Sequence, residues 1–213
     1  MTVISVNTGR PRDVRVNGDT VRTSIWKSPR EGRVRAAGVN LEGDEQSDLT
    51  VHGGQYKAVY VYPSEHYAYW RAELPDAELP WGVFGENLTI EGLLETGVCI
   101  GDRLRIGSAE FQVTQPRQPC FKLGIRFGRA DMLKRFVASG RSGFYVSIVG
   151  EGDVGSGDAI HFSRRTAGSM SVADIFALKM GGHATPDALR RAASIEELTP
   201  SWREYFHSRL STT

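Results

Sequence analysis

Residues 113–128 read VTQPRQPCFKLGIRFG and place one cysteine, Cys120, directly after a proline and among cations. Arg117 lies three residues before it and Lys122 two residues after it, with Arg126 and Arg129 further on. The thiolate is the form of cysteine that attacks electrophiles and binds soft metals, and nearby positive charge favours it by lowering the thiol pKa. Pro116 and Pro119 stiffen the approach and restrict the residues before them, which suits a ligand that must hold one direction. The pattern equally fits a small apolar residue in a strand-rich core, with arginines that face water. The second cysteine, Cys99, lies in the apolar stretch VCIGDRL and reads as structural.

Two further stretches have the composition of a site. In GDEQSDLTVHGGQYKAVYVY, residues 43–62, Asp44, Asp48 and His52 precede a strand-like run, and Lys57 follows. A carboxylate beside a histidine fixes its tautomer and raises its basicity. Gly53 and Gly54 allow close approach of backbone to a ligand. A surface turn with a hydrogen-bonded histidine is the plainer reading, and the spacing does not specify zinc. In FGENLTIEG, residues 84–92, Glu86 and Asn87 stand between a glycine and a strand, where they bind a polar heterocycle or make an Asx turn. The remaining histidines, 66, 161, 183 and 207, show no mutual spacing of note and read as structural or surface.

These stretches need a scaffold, and short apolar runs supply it. TVISV, TVRTSIW, RVRAAGV, KAVYVY, NLTIEG, RLRI, EFQVTQ, FYVSIV and AIHFS read as strands, several with period-two alternation and with Gly, Asn or Asp between them. That density of short strands predicts a barrel or sandwich. VCIGDRL (98–104) and VGSGDAI (154–160) share V-x-x-G-D-x-L/I, a tight Gly-Asp turn that is either a repeat within a barrel or two unrelated hairpins. SEHYAYWRAEL predicts a helix capped by Ser64 with Tyr67, Trp70 and Leu74 on one face, and DMLKRFVASG predicts a second, stopped by Gly140.

After Arg165 the pattern changes. SVADIFALKMGG has a capping box at Ser171 and Asp174, while TPDALRRAAS and TPSWREYFHSRL each begin with a cap residue and a proline. The expected division is a β domain over residues 1–165 and a small three-helix domain over 166–213. Trp202, Tyr205, Phe206 and Leu210 form an apolar stripe that reads as a packing face.

The bulk numbers exclude several classes. The 213 residues are 40% hydrophobic with a formal net charge of +1, an ordinary globular composition without the field of a nucleic-acid binder. MTVISVNTGR reads as a strand and a turn rather than a signal peptide, and no apolar run approaches the roughly 20 residues of a membrane span. With two cysteines and no disulfide framework, the expected location is the cytoplasm.

LEGDEQSDLTVHGG, KAVYVYPSEHYAYW, FGENLTIEGL, IGDRLRIG, VTQPRQPCFKL and GFYVSIV occur in that order. Together they resemble the MOSC domain family, named for the C-terminal domain of molybdenum cofactor sulfurase, and within it the YiiM-like subgroup linked to resistance against 6-hydroxylaminopurine. The resemblance covers nearly the whole chain. It implies a mainly β, MOSC-type β-barrel with a few helices, followed by the three-helix tail. It also implies a molybdopterin-type molybdenum cofactor, with Cys120 as the metal ligand or sulfur carrier. Lys27, Lys57, Arg117 and Lys122 become candidates for the cofactor phosphate, Asn87 for the pterin, and Asp44 and His52 for proton handling.

The implied activity is reduction of small N-hydroxylated bases and related compounds, which consumes two electrons and two protons. Larger family members add a desulfurase or electron-transfer modules that this chain lacks, so a partner reductase would supply the electrons. The alternative implied role is a carrier that holds sulfur or the cofactor on Cys120. Neither nucleic acid nor membrane is an expected partner, and the oligomeric state stays open, a homodimer included.

Overall fold

The computed structural model describes residues 1–47, 53–164, 168–181 and 184–211. The chain opens with β1 (Thr2–Thr8), the hairpin β2 (Arg12–Val16) and β3 (Asp19–Thr23), and the short pieces β4 (Ser28–Pro29), β5 (Arg33–Ala37) and β6 (Asn40–Leu41). A 3-10 turn (Gln55–Lys57) leads into β7 (Val59–Pro63), α1 (His66–Glu73) and β8 (Leu88–Glu91). Then come β9 (Arg103–Ile106), β10 (Ala109–Pro116), α2 (Phe121–Phe127), α3 (Met132–Ser139), β11 (Phe144–Gly150), β12 (Gly152–Gly155) and β13 (Ile160–Ser163). The chain finishes with α4 (Val172–Met180), α5 (Pro186–Ala193) and α6 (Pro200–Leu210).

The fold is mainly β. Its large sheet has eight strands in the order β13-β9-β10-β11-β7-β8-β1-β4. All its neighbours are antiparallel except β7 and β8, which pair in parallel because α1 makes the crossover between them. The sheet curls until its ends meet, but among the described residues no regular ladder closes it. A single bridge, Thr2 to Ala159, joins β1 to the start of β13. The Val3 amide donating to Asp158 (2.9 Å) and the Ile160 amide donating to Met1 (3.0 Å) reinforce it.

Each of the nine runs expected as strands contains one. The sequence reading passed over β2, whose charged alternation RDVRV looks like solvated loop. The hairpin forms because Asn17 and Gly18 both take positive φ, 52° and 94°, as a two-residue turn between twisted strands requires. The two Gly-Asp turns are structurally alike. Asp102 accepts from the Cys99 amide (2.7 Å) and Asp158 from the Gly155 amide (2.9 Å), the same reach of three residues back. The strands that follow them, β9 and β13, pair with each other.

Helix α1 begins at His66, later than the Ser64 cap implies, and Ser64 contributes its carbonyl to the Tyr67 amide (3.0 Å). His66 is buried against Glu95 at 2.8 Å. Residues 121–127, read in sequence as part of a stiff loop, are the helix α2, which ends at Gly128 with φ 63°. In the tail, Ser171 and Thr185 cap α4 and α5 through their side chains. Thr199 does not cap α6; its hydroxyl donates to the Gln115 side chain on β10.

Period-two alternation along β7 divides the interior. Val59 and Val61 enter an aliphatic core built on β1, β8, β9, β10 and β11, while Tyr60 and Tyr62 enter an aromatic one with Tyr67, Trp70, Phe84 and Phe136. Val172 and Ile175 of α4, Leu189 of α5, and Trp202 and Phe206 of α6 belong to the aliphatic core, so the tail packs on the sheet without a solvent layer between. The boundary expected at residues 165/166 lies outside the described residues.

Candidate functional site

The pocket that contains Cys120 opens where β3, the 3-10 turn, β10 and α2 converge, and has a cavity volume of about 100 Å³. Seven of the candidates from the sequence line it: Cys120, Asp44, Lys27, Lys57, Asn87, Arg117 and Lys122. Glu45 lines it too, so four cations face two carboxylates. The surplus of positive charge is local, in a chain whose net charge is +1. His52 and Asp48 lie outside the described residues.

Cys120 is half-buried at the residue before the first turn of α2, and its carbonyl accepts from the Leu123 amide (2.9 Å). Four residues earlier β10 ends at Pro116, and the next residue, Arg117, turns inward. Arg117 is 5% exposed, its guanidinium over the Tyr60 ring at 4.9 Å and the Phe136 ring at 5.1 Å. Burial opposes its charge and the neighbouring Tyr60, Tyr145 and Cys120 support it, so the guanidinium is held above its ordinary value. Burial also pushes Tyr60 and Tyr145 up, which keeps both phenols neutral near pH 7 and weakens that support. Arg117 Nη1 is buried without a hydrogen-bond partner among the described residues. A buried donor in that state costs about 1–3 kcal/mol until a ligand supplies an acceptor.

Asp44 organises the opposite wall. Its Oδ1 accepts from Lys27 Nζ (2.5 Å) and the Gly9 amide (2.8 Å), and its Oδ2 from Asn87 Nδ2 (2.9 Å). Gly9 reaches it because no side chain is present; a Cβ there would lie 2.1 Å from the Trp26 carbonyl. Lys27 is pulled below its ordinary pKa by burial, with Asp44 acting against the shift. Asn87 also donates to the Asn7 carbonyl (3.3 Å) and accepts from the Tyr60 amide (3.0 Å), so both its donors are used inside the protein. Glu86, its neighbour, does not reach the pocket. It is fully buried and accepts from the Tyr67 hydroxyl, Gly82 (2.8 Å), Phe84 (3.1 Å) and Thr89 (3.0 Å), and burial raises its pKa.

Lys57 is positioned by the 3-10 turn. Thr114 of β10 donates to the Tyr56 carbonyl (2.6 Å), and Gln46 accepts from the Gly54 amide (2.8 Å). Sequence reasoning missed Thr23, Ser24 and Ile25, which also line the pocket. Nothing in the local sequence marks them, because β3 enters the pocket only through the fold. Among the described residues no group of three or more His, Cys, Asp or Glu side chains is arranged to hold a metal ion. None of the described helices is long and apolar enough to cross a membrane.

A curled, mainly antiparallel sheet carries a thiol and four cations in one pocket. The sequence places it more narrowly. Residues 48–161 match the MOSC domain, and residues 170–213 match the YiiM-like, 3-alpha helix domain. The protein YflK of Bacillus subtilis is 41% identical over 207 residues, covering 96% of this chain and 92% of that one. The crystal structure of YiiM from Geobacillus stearothermophilus superimposes with a TM-score of 0.82 at 34% identity, covering 98% of both chains. A protein of Gibberella moniliformis named "Reductase" is 33% identical over 176 residues, 81% of this chain but 31% of that longer one. The chain belongs to the MOSC family, in its YiiM-like branch.

Proposed function

We propose that this protein is a molybdenum-cofactor oxidoreductase that reduces N-hydroxylated bases and related N-hydroxylated compounds. The observation that carries the reading is the gathering of Cys120 and four cations on one pocket whose buried Arg117 Nη1 lacks an acceptor among the described residues. The orphaned guanidinium nitrogen and the thiol together fit a ligand that is anionic at one end and soft-metal-bearing at the other. MOSC membership and the homology to a named reductase point the same way.

When bound, a molybdopterin-type group supplies a metal that accepts oxygen and exchanges two electrons. The chain's own residues do the rest. Cys120 offers the thiolate that ligates the metal. Arg117, Lys57 and Lys122 bind the phosphate, joined by the N–H groups of Lys27 that Asp44 leaves available. Asn87, its donors committed to Asp44 and Asn7, positions the Asp44 wall rather than donating to the ligand. The overall change is R–NHOH + 2 e⁻ + 2 H⁺ → R–NH₂ + H₂O, with electrons from a partner reductase. His52 enters as proton donor, with Asp44 as its electrostatic support, from the sequence resemblance alone. A reducing cytoplasmic setting suits two cysteines outside any disulfide.

The test is metal analysis of protein purified from cells that make the cofactor. About one molybdenum per chain is expected, lost in Cys120→Ser because a hydroxyl is a harder ligand, and kept in Cys99→Ser. Equal metal in wild type and Cys120→Ser removes the ligand assignment. Molybdenum without hydroxylamine reduction, when a reductase is supplied, turns the reading toward a cofactor or sulfur carrier.

A further inference from the structure

Two buried side-chain atoms of the pocket lack any hydrogen-bond partner among the described residues: Arg117 Nη1 and Ser24 Oγ. Ser24 stands in the connection between β3 and β4, three residues before Lys27. Its neighbour shows the ordinary fate of a hydroxyl there. Thr23 Oγ1 is buried and accepts from the Ile25 amide (3.2 Å), which serves the turn. Ser24 Oγ serves no such purpose, although native proteins satisfy the large majority of buried polar atoms.

A serine hydroxyl rotates freely and can donate or accept. In a pocket lined by four cations, the ligand group that arrives is an acceptor. We propose that Ser24 Oγ is a ligand-binding donor of this pocket, hydrogen-bonding an anionic oxygen of the bound cofactor while Arg117 Nη1 bonds another. This rests on the cofactor reading above and adds to it a residue on a separate wall. Ser24 thereby makes the β3–β4 connection part of the binding machinery. It also accounts for a polar atom that the described residues leave without a partner.

The proposal separates binding from folding, and the test reads both on the full chain. Ser24→Ala, made in cells unable to synthesise the cofactor, should melt at the same temperature as wild type or higher, because the lost hydroxyl has no partner to leave behind. A lower melting temperature would mean that the hydroxyl serves the fold, and would overturn the idea. Purified from cofactor-making cells, the variant should release molybdenum during dialysis roughly three- to tenfold faster than wild type, the usual worth of one hydrogen bond. Ser24→Thr, which keeps the hydroxyl, should recover most of the difference. Equal release from wild type and Ser24→Ala sinks the proposal.

A second arm does not depend on molybdenum. Inorganic pyrophosphate titrated into cofactor-free protein, followed by thermal shift, should bind Ser24→Ala roughly three- to tenfold more weakly. If wild type contains no molybdenum yet shows this pyrophosphate difference, the cofactor reading fails and the Ser24 assignment stands. If pyrophosphate binds both proteins equally, or neither, the assignment falls.

Discussion

The two interiors on either side of β7 differ in kind. The aliphatic side, from Val3 and Phe111 to Trp202 and Phe206, is closed and apolar and ties the tail to the sheet. The aromatic side packs Tyr60, Tyr62, Trp70 and Phe136 around buried polar groups, among them Glu86 and Arg117. The second leaves some buried polar atoms at the pocket, Arg117 Nη1 and Ser24 Oγ, without a partner among the described residues. One strand of alternating Val and Tyr holds the two apart, its valines in the aliphatic core and its tyrosines in the aromatic one.

The contrast is broken most easily on the aliphatic side. Phe206 is fully buried on α6, and Phe206→Ala should cost about 3–5 kcal/mol, read by denaturant unfolding. The sheet should lose stability with the tail in one transition. Two separated transitions would show instead that residues 166–213 unfold as an independent domain.

A smaller loss is expected at Glu86, which serves the aromatic side as a structural acceptor. Glu86→Gln retains one acceptor oxygen against four donors and should cost about 1–3 kcal/mol at low pH. The pH dependence sharpens the point. Burial raises the folded pKa of Glu86 above its ordinary value of 4.5. Its contribution is therefore fully present below that value and declines as pH rises through the folded pKa. Gln does not titrate, so the stability gap between wild type and variant should narrow as pH rises. A gap that widens would reverse the sign assigned to Glu86.

The least change in stability is expected at Arg117. Arg117→Met removes a buried, partly unsatisfied charge but keeps a long side chain against Tyr60 and Phe136. Cofactor-free protein should be within about 1 kcal/mol of wild type or more stable, since replacing a buried charge by an apolar group of similar volume is often neutral or favourable. Molybdenum retention should nevertheless fall sharply. Loss of several kcal/mol without cofactor would place Arg117 with the fold rather than with the ligand.

Much of this molecule is written locally. Alternation marks β7, β9 and β10, cap residues mark α4 and α5, and Gly-Asp marks two equivalent turns, because each signal depends on neighbours a few residues apart. Cys120 and the cations beside it stand out in the local sequence, and the order of motifs led to the family and the roles it implies. Where local signals were weak or contrary, the reading stopped short. Gly124 and the two prolines hid α2, and the charges of RDVRV hid β2. The pairing of Asp44 with Lys27 and Asn87 spans 17 and 43 residues, and no periodicity reports contacts at that range. Burial of Glu86, the merging of the tail with the sheet core, and the idle hydroxyl of Ser24 were likewise decided only when distant strands met. Which polar groups find partners on folding, and which are left for a ligand, depends on what the tertiary structure places beside them.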